Sequence, residues 1–405
     1  MNLQRNLVKT AMTWKPRYFD IGVNFSDLMF QGCYNGSKTA KHPADVAEVV
    51  ARAQTFNVSK MLITASSIAE SEEHFELVEN YKSHFGLTVG VHPCTVAQEF
   101  YGGLDKLEPL DSLDEKLARL KTLTEEGVAK GFVKAFGEIG LDYDRLHYST
   151  EAQQRAMFKA QLEVVASLQH LNLPLFLHMR NACDDFVSII SPFIASGAIK
   201  KGNGVVHSFT GSKDELAKIL DLGFYIGVNG CSLKTQENLD VAKLVPMDKL
   251  LIETDAPWCE IRKTHAAYSV LTPYPNLFYP EITLPEVESP QIKELEEVNQ
   301  KKKKQPPSKK QQPIKMDELL PFPSIKKENF EKHRILVQQK LENLGEAPTT
   351  IIGEFAHPLI KSRNEPVFVG LVAEIMASLY GLKSDDEIRN FIDTVYENSC
   401  KLFQI

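Results

Sequence analysis

The sequence predicts an α/β protein of the (β/α)8 TIM-barrel type, and three observations carry that expectation. Short apolar runs alternate with helix-patterned stretches eight times between Tyr18 and Trp258. The runs are apolar throughout, which marks parallel strands covered on both faces. Polar, metal-capable side chains follow several of them, and only a closed ring brings so many strand ends to one mouth; a doubly wound open sheet is the alternative.

Taken in order, Tyr18 to Val23 is extended, Asn24 closes it, and a polar loop runs to Pro43 before a helix over Ala44 to Thr55. Val58 to Thr64 is the second strand, and Ser67 with Glu70 has the spacing of a capping box that opens a helix to about Tyr81. Leu87 to Val91 is the third strand, ending on His92-Pro93; residues 95–130 hold a loop and one or two charged helices. Phe132 to Gly137 ends at Glu138. Thr150 and Gln153 cap a long helix to about Leu171, with Phe158, Leu162 and Val165 on one face. The fifth strand ends at His178, a helix covers Cys183 to Ala195, and the sixth strand ends at His207. Ser212 and Glu215 cap the next helix, Phe224 to Val228 is the seventh strand, and a helix spans Asn238 to Leu244. Leu250 to Glu253 is the eighth strand; Asp255 follows it, and Pro257 stops regular structure.

Beyond Pro257 the composition shifts. Residues 271–350 are rich in Pro, Lys, Glu and Gln, bury too little apolar surface to offset ordering entropy, and are expected to be a largely disordered insertion on the catalytic face. Phe330 to Leu344 is the exception, a helix able to dock on the barrel, and two closing helices are expected over Val367 to Tyr380 and Asp386 to Phe403. The domain reading is therefore an N-terminal extension over 1–17 and one barrel over 18–405, interrupted at about 271–350.

Of the 405 residues 43% are apolar, enough for a sizeable core, and the net charge of −7 offers no global attraction to a polyanion. Six scattered cysteines favour reduced thiols and a cytoplasmic or nuclear setting. No apolar run is long enough for a membrane span. Arg5, Lys9, Lys15 and Arg17 suit a disordered extension better than a targeting tail, and Lys301 to Lys304 is read first as a solvated loop, with a DNA contact or nuclear import signal as alternatives.

Glu138, His178, His207 and Asp255, delivered by four strand ends, form a donor set for a divalent ion. Glu138 has two oxygens with which to bridge two ions, the histidines would bind as neutral imidazoles, and Asp255 would ligate an ion or take a proton from its water. Arg180 suits a phosphate clamp or an ion pair with Asp184 or Asp185. Asp142 and Tyr143 are placed in the substrate cleft, with Tyr143 or Phe209 either stacking on a terminal base or serving as packing residues; Arg363 is a substrate contact or, through Glu365, an anchor for the final helices.

Several segments resemble the TatD family of metal-dependent deoxyribonucleases: Phe19-Asp20-Ile21-Gly22-Val23-Asn24, Gly90-Val91-His92-Pro93, Gly137-Glu138-Ile139-Gly140-Leu141-Asp142, His178-Met179-Arg180, His207-Ser208-Phe209-Thr210-Gly211, Glu253-Thr254-Asp255-Ala256-Pro257 and Arg363-Asn364-Glu365-Pro366. They fall in family order over about Tyr18 to His265 and from Lys361 onward, and Phe30-Gln31-Gly32 with Thr264-His265-Ala266 is similar to the eukaryotic branch. The resemblance implies an amidohydrolase-like barrel that hydrolyses DNA phosphodiesters as a magnesium-dependent exonuclease from the 3′ end. It implies Glu138, His178, His207 and Asp255 as ligands and puts His92 on substrate phosphate or metal-bound water. Many family members carry His-x-His after strand one, where this chain has Gly22 and Asn24. An oxygen-rich first position then suits Mg²⁺ or Mn²⁺ better than Zn²⁺, with one or two ions. A small-molecule amidohydrolase and a non-catalytic nucleic-acid-binding barrel are the other readings.

Overall fold

Eight parallel strands pair in chain order in the computed structural model, which describes residues 14–81, 84–282, 314–344 and 353–405. They are β1 (Tyr18–Val23), β2 (Val58–Ile63), β3 (Phe85–Val89), β4 (Val133–Asp142), β5 (Leu175–Arg180), β6 (Gly204–Val206), β7 (Tyr225–Val228) and β8 (Leu250–Ile252). Two bonds close the ring just past β8: Asp255 N–H donates to Gly22 O at 2.9 Å, and Asn24 N–H to Ala256 O at 2.8 Å. Seven helices cover the ring: α1 (Val46–Thr55), α2 (Ile68–Glu79), α3 (Leu113–Ala129), α4 (Glu151–Ser167), α5 (Cys183–Ala195), α6 (Lys213–Asp221) and α7 (Gln236–Ala242). The expected TIM-type barrel is the observed fold.

The caps read from the sequence start the helices they were assigned to. Thr150 with Gln153 and Ser212 with Glu215 form reciprocal capping boxes on α4 and α6. At α2 the Ser67 hydroxyl accepts from Glu70 N–H, but the Glu70 carboxylate turns to the N–H and hydroxyl of Ser66, so only half the box is made.

Three stretches depart from expectation. β4 continues through Glu138 to Asp142, because β5 runs alongside it to Arg180 and supplies partners the local sequence does not reveal. The insertion carries regular structure in its described parts. β9 (Ser324–Ile325) pairs with β10 (Leu359–Ile360), α8 (Phe330–Leu344) follows, and Leu320 and Phe322 are buried. Those few apolar residues find distant partners: Phe322 meets Phe56 at 5.9 Å between ring centroids, and Phe330 joins Met29, Tyr34 and Ile360. Lys301 to Lys304 lie outside the described residues. In the N-terminal extension, Trp14 donates its indole N–H to Asp393 at 2.9 Å and Arg17 sits over the Tyr396 ring.

Two helices close the chain, α9 (Val369–Leu379) and α10 (Asp385–Phe403). The barrel interior is an apolar floor of Phe19, Ile21, Leu62, Ala135, Phe176, Val205, Tyr225 and Leu251, sealed by Leu402 and Phe403 at the end of α10. Every polar group above that floor is shut off from water on one side. Among the described residues no helix is long and apolar enough to cross a membrane.

Candidate active site

Strand parity lifts the site off the apolar floor. Side chains two apart on a strand share a face, so Phe176 below puts His178 above, Val205 puts His207 above, and Leu251 puts Glu253 above. In β4 Ala135 belongs to the floor, and strict alternation would then turn Gly137 inward. The β4–β5 register slips between Phe136 and Ile139, which re-aims Glu138 into the barrel. Gly137 is required there: at φ 155° an added Cβ would lie 2.2 Å from the Phe176 carbonyl oxygen.

Glu138 is the centre of what results. Its Oε1 lies 2.6 Å from His207 Nε2, 2.8 Å from His178 Nδ1 and 3.2 Å from His92 Nε2. Each imidazole's other nitrogen decides its role. His178 Nε2 lies 3.0 Å from Asp142 Oδ2, so a neutral ring keeps its proton there and offers the Nδ1 lone pair to a cation at the centre. His207 Nδ1 faces Glu253 Oε2 at 3.5 Å, leaving the Nε2 lone pair to the centre. His92 differs: its Nδ1 accepts the Cys94 N–H at 3.0 Å, so a neutral ring carries its proton on Nε2 and donates into the site. His92, Glu138 and His178 bring candidate ligand atoms within 4.8 Å of one another, and Glu138, His178 and His207 lie closer still. The tautomers nevertheless make His178 Nδ1 and His207 Nε2, 3.3 Å apart, the better pair of nitrogen ligands.

The donors fit a divalent cation. Two ligands about 2.1 Å from one ion lie roughly 3 Å apart, as these nitrogens do. Among the described residues no Lys or Arg pairs with Glu138, Glu253 or Asp255, and His207 Nδ1 and Glu253 Oε2 are buried without a hydrogen bond of normal geometry. Burial alone would raise the Glu138 carboxyl, yet the His207 and His92 imidazoles and the bonds from His178 and His207 hold it well below the usual carboxylate range. Burial would lower His207, but Glu138 and Glu253 hold it well above the usual imidazole value. A cation that takes the imidazole lone pairs does the same electrostatic work as those protons.

Asp255 stands beside this group at φ 55°, its Oδ1 accepting from the Asn24 amide at 3.0 Å and its Oδ2 from the Cys259 thiol at 3.2 Å. Burial raises its pKa, with His207 opposing and Glu253 and Glu138 adding. The two positions that differ from the His-x-His pattern are thus explained. Asn24 buttresses Asp255, and at Gly22 any Cβ would lie 2.7 Å from Glu253 Oε2, so the bare backbone leaves room for that carboxylate. Glu253, held by Ser208 N–H and the Asn229 amide, is the residue the sequence reading left without a role. Its signal was there: it lies two residues beyond Leu251 on the inward face.

The other expected site residues separate. Arg180, on the rim with a side chain 20% exposed, makes no contact with Asp184 or Asp185, which pair with Lys218 and with Tyr143 and Arg155; its one ion-pair neighbour is Asp142 at 3.9 Å. The Asp142 assignment to the cleft is corrected: it is fully buried behind His178 and acts as that ring's orienting acceptor. Phe209 is buried and cannot stack on a base, whereas Tyr143 is half-buried against the core and tethered by its hydroxyl to Asp185 at 2.6 Å. The substrate role of Arg363 is corrected as well. It is 1% exposed and forks onto Asp45 at 2.6 and 2.7 Å with a further bond to Glu365, the anchoring role that was its other reading.

Comparison with known proteins gives the family and the fold. A family model described as TatD related DNase matches residues 19–304. The chain is 37% identical over 395 residues to a protein named Deoxyribonuclease Tat-D from Schizosaccharomyces pombe, covering 98% of each. It is 33% identical to a protein of the same name from Saccharomyces cerevisiae, covering 98% of this chain and 94% of that one. The crystal structure of an uncharacterised amidohydrolase from Saccharomyces cerevisiae superimposes with a TM-score of 0.67 at 32% identity, over 96% of this chain and 99% of that one.

Proposed function

This chain belongs to the family of TatD-related DNases, and we propose that it is a divalent-metal-dependent deoxyribonuclease that trims DNA from the 3′ end. The observation that carries the hydrolase reading is the uncompensated cluster at the barrel mouth. Glu138, Glu253 and Asp255 share that mouth with two imidazole lone pairs and no partner Lys or Arg among the described residues.

In this reading Glu138, His178, His207 and Asp255 hold the metal. A bound divalent ion supplies a Lewis acid for a phosphoryl oxygen and makes water acidic enough to ionise near neutral pH. A first position left to Glu138, Asp255 and water favours Mg²⁺ or Mn²⁺ over Zn²⁺, and the two oxygens of Glu138 leave room for one or two ions. The protein supplies the rest. Asp142 fixes the tautomer of the His178 imidazole by a hydrogen bond, and the Glu253 carboxylate faces His207 Nδ1 at 3.5 Å and favours the proton there. Arg180 clamps a non-bridging oxygen with its planar fork. His92 donates from Nε2 to the substrate phosphate or to the attacking water. Asp255, whose raised pKa reflects its burial, receives the proton that water gives up. The substrate is DNA with a free 3′ end, met in the cytoplasm or nucleus.

Single-stranded DNA labelled at its 3′ or 5′ end, incubated with Mg²⁺ and wild type, Glu138→Ala or Asp255→Ala, tests this. Early loss of the 3′ label by wild type alone is expected. Intact DNA with Mg²⁺, Mn²⁺ and Zn²⁺ alike would overturn the nuclease reading.

A further inference from the structure

The site described above holds an ion and a phosphate but offers nothing to a base. Tyr143 and Phe209 are both occupied by packing or hydrogen bonds. Two aromatic side chains are counted among the exposed large hydrophobics, and both are on loops at the mouth: Tyr148 after β4 and Trp258 after β8. Tyr148 already stacks on His147 with ring centroids 4.1 Å apart. Trp258 is 53% exposed, and among the described residues its indole makes no hydrogen bond, ring contact or cation–π contact.

Its backbone is the opposite of free. Trp258 N–H donates to Asp255 O at 2.9 Å in a tight turn, and Pro257 O accepts from Asn364 N–H at 3.0 Å. Ala256 O accepts from both the backbone N–H and the side-chain amide of Asn24. A turn of this kind keeps its first and last Cα atoms within about 7 Å, and stacked nucleotides repeat at about 3.4 Å along a strand. An indole on Trp258 therefore reaches a base within a nucleotide or two of a phosphate bound beside Asp255. An exposed, unpartnered indole on a pinned backbone is a flat platform held ready, with little ordering entropy left to lose on binding.

We propose that Trp258 is the base-stacking platform of this site, taking the face of a nucleobase at the 3′ end of the strand and so holding the adjoining phosphodiester over the Glu138 cluster. The inference rests on the nuclease reading. It makes Trp258 a substrate-positioning contact indifferent to base identity, since every base presents a π-face.

The chain's two tryptophans allow a direct test. Trp14, bonded to Asp393 on α10, is replaced by Phe, leaving Trp258 as the sole indole reporter, and Glu138→Ala prevents turnover. Titration with oligothymidylate is expected to quench the fluorescence saturably, whereas the same oligomer with abasic 3′-terminal nucleotides should not. In the active enzyme Trp258→Ala should raise KM for single-stranded DNA roughly 5- to 100-fold, the range one stacked base is worth, with kcat little changed. Trp258→Phe should recover most of that loss, and abasic-ended DNA should abolish the difference between variant and wild type. An enzyme that cleaves DNA with the same KM in Trp258→Ala overturns this inference alone. Failure of wild type to cleave any DNA removes the nuclease reading and this inference with it.

Discussion

At the barrel mouth Glu138 is ringed by imidazoles and pairs with no Lys or Arg among the described residues, whereas on the flank of the barrel Asp45 and Glu365 are each gripped by arginine. In the flank cluster Arg363 forks onto Asp45, Arg52 forks onto Glu365 at 2.8 and 3.0 Å, and Arg363 also reaches Glu365 at 2.8 Å. Two positive and two negative groups cancel, with geometry of the kind that compensates a buried pair's desolvation. The mouth cluster does not cancel. Its carboxylates outnumber its fixed cations, and its neutrality depends on protons or an added ion. Both clusters are buried, so burial does not distinguish a structural charge from a functional one; saturation of its partners does.

Four experiments press on that contrast. The largest effect is expected from Glu138→Ala, which removes the hub of the unbalanced cluster. Activity should fall on the order of 10³-fold or more, since a bound ion contributes several kcal/mol to the barrier. Thermal stability should hold or rise as buried charge is lost, and a collapse in Tm would make Glu138 structural. Arg363→Ala should do the reverse, costing about 3–5 kcal/mol by stranding Asp45, with activity per folded molecule retained. Urea unfolding alongside an active-site titration would separate the two, and a stable but inactive variant would return Arg363 to the substrate site.

His74 provides a third case, a histidine with no carboxylate bonded to it. It is 2% exposed, both ring nitrogens lack partners among the described residues, and burial pushes its pKa down to about 4, with Glu70 only partly opposing. Its folded value lies below the ordinary 6.5, so from about pH 6.5 downward the unfolded chain takes up a proton that the folded chain refuses. Stability should fall by up to about 3 kcal/mol between pH 6.5 and 4, and His74→Leu should flatten that limb in denaturant midpoints measured across the range. The smallest effect belongs to Asp142→Asn. Loss of the acceptor that fixes the His178 tautomer should cost about 10- to 100-fold in metal affinity, read by calorimetry with Mn²⁺, while the fold is kept. An unchanged affinity would show that β4 and β5 alone position the ring.

Local rules made most of the barrel legible. Continuous apolar runs located all eight strands, and capping spacings placed the starts of α4 and α6. Even α8 and α10 were visible, because a 3.6-residue apolar period survives in charged surroundings. The ordered part of the insertion before α8 was hidden, since Leu319, Leu320 and Phe322 form an apolar patch too short to mark an element until distant residues cover it. The same limit applied at the site. His178, His207 and Glu138 could be found by position at strand ends, whereas the roles of Asp142, Arg363 and Glu253 depend on which partner waits across the barrel.

The eight-fold alternation, the strand ends that carry acids and imidazoles, and therefore the face on which chemistry is possible follow from periodicity and composition, properties of residues near one another in the chain. Which nitrogen of each imidazole faces the centre, that Arg363 is an anchor, that Gly22 makes room for Glu253, and that Trp258 is the indole left bare emerge with the folded barrel. Those depend on partners brought together from as far apart as residues 24 and 255, and hydrogen bonds and charges act on distance in space and not along the chain.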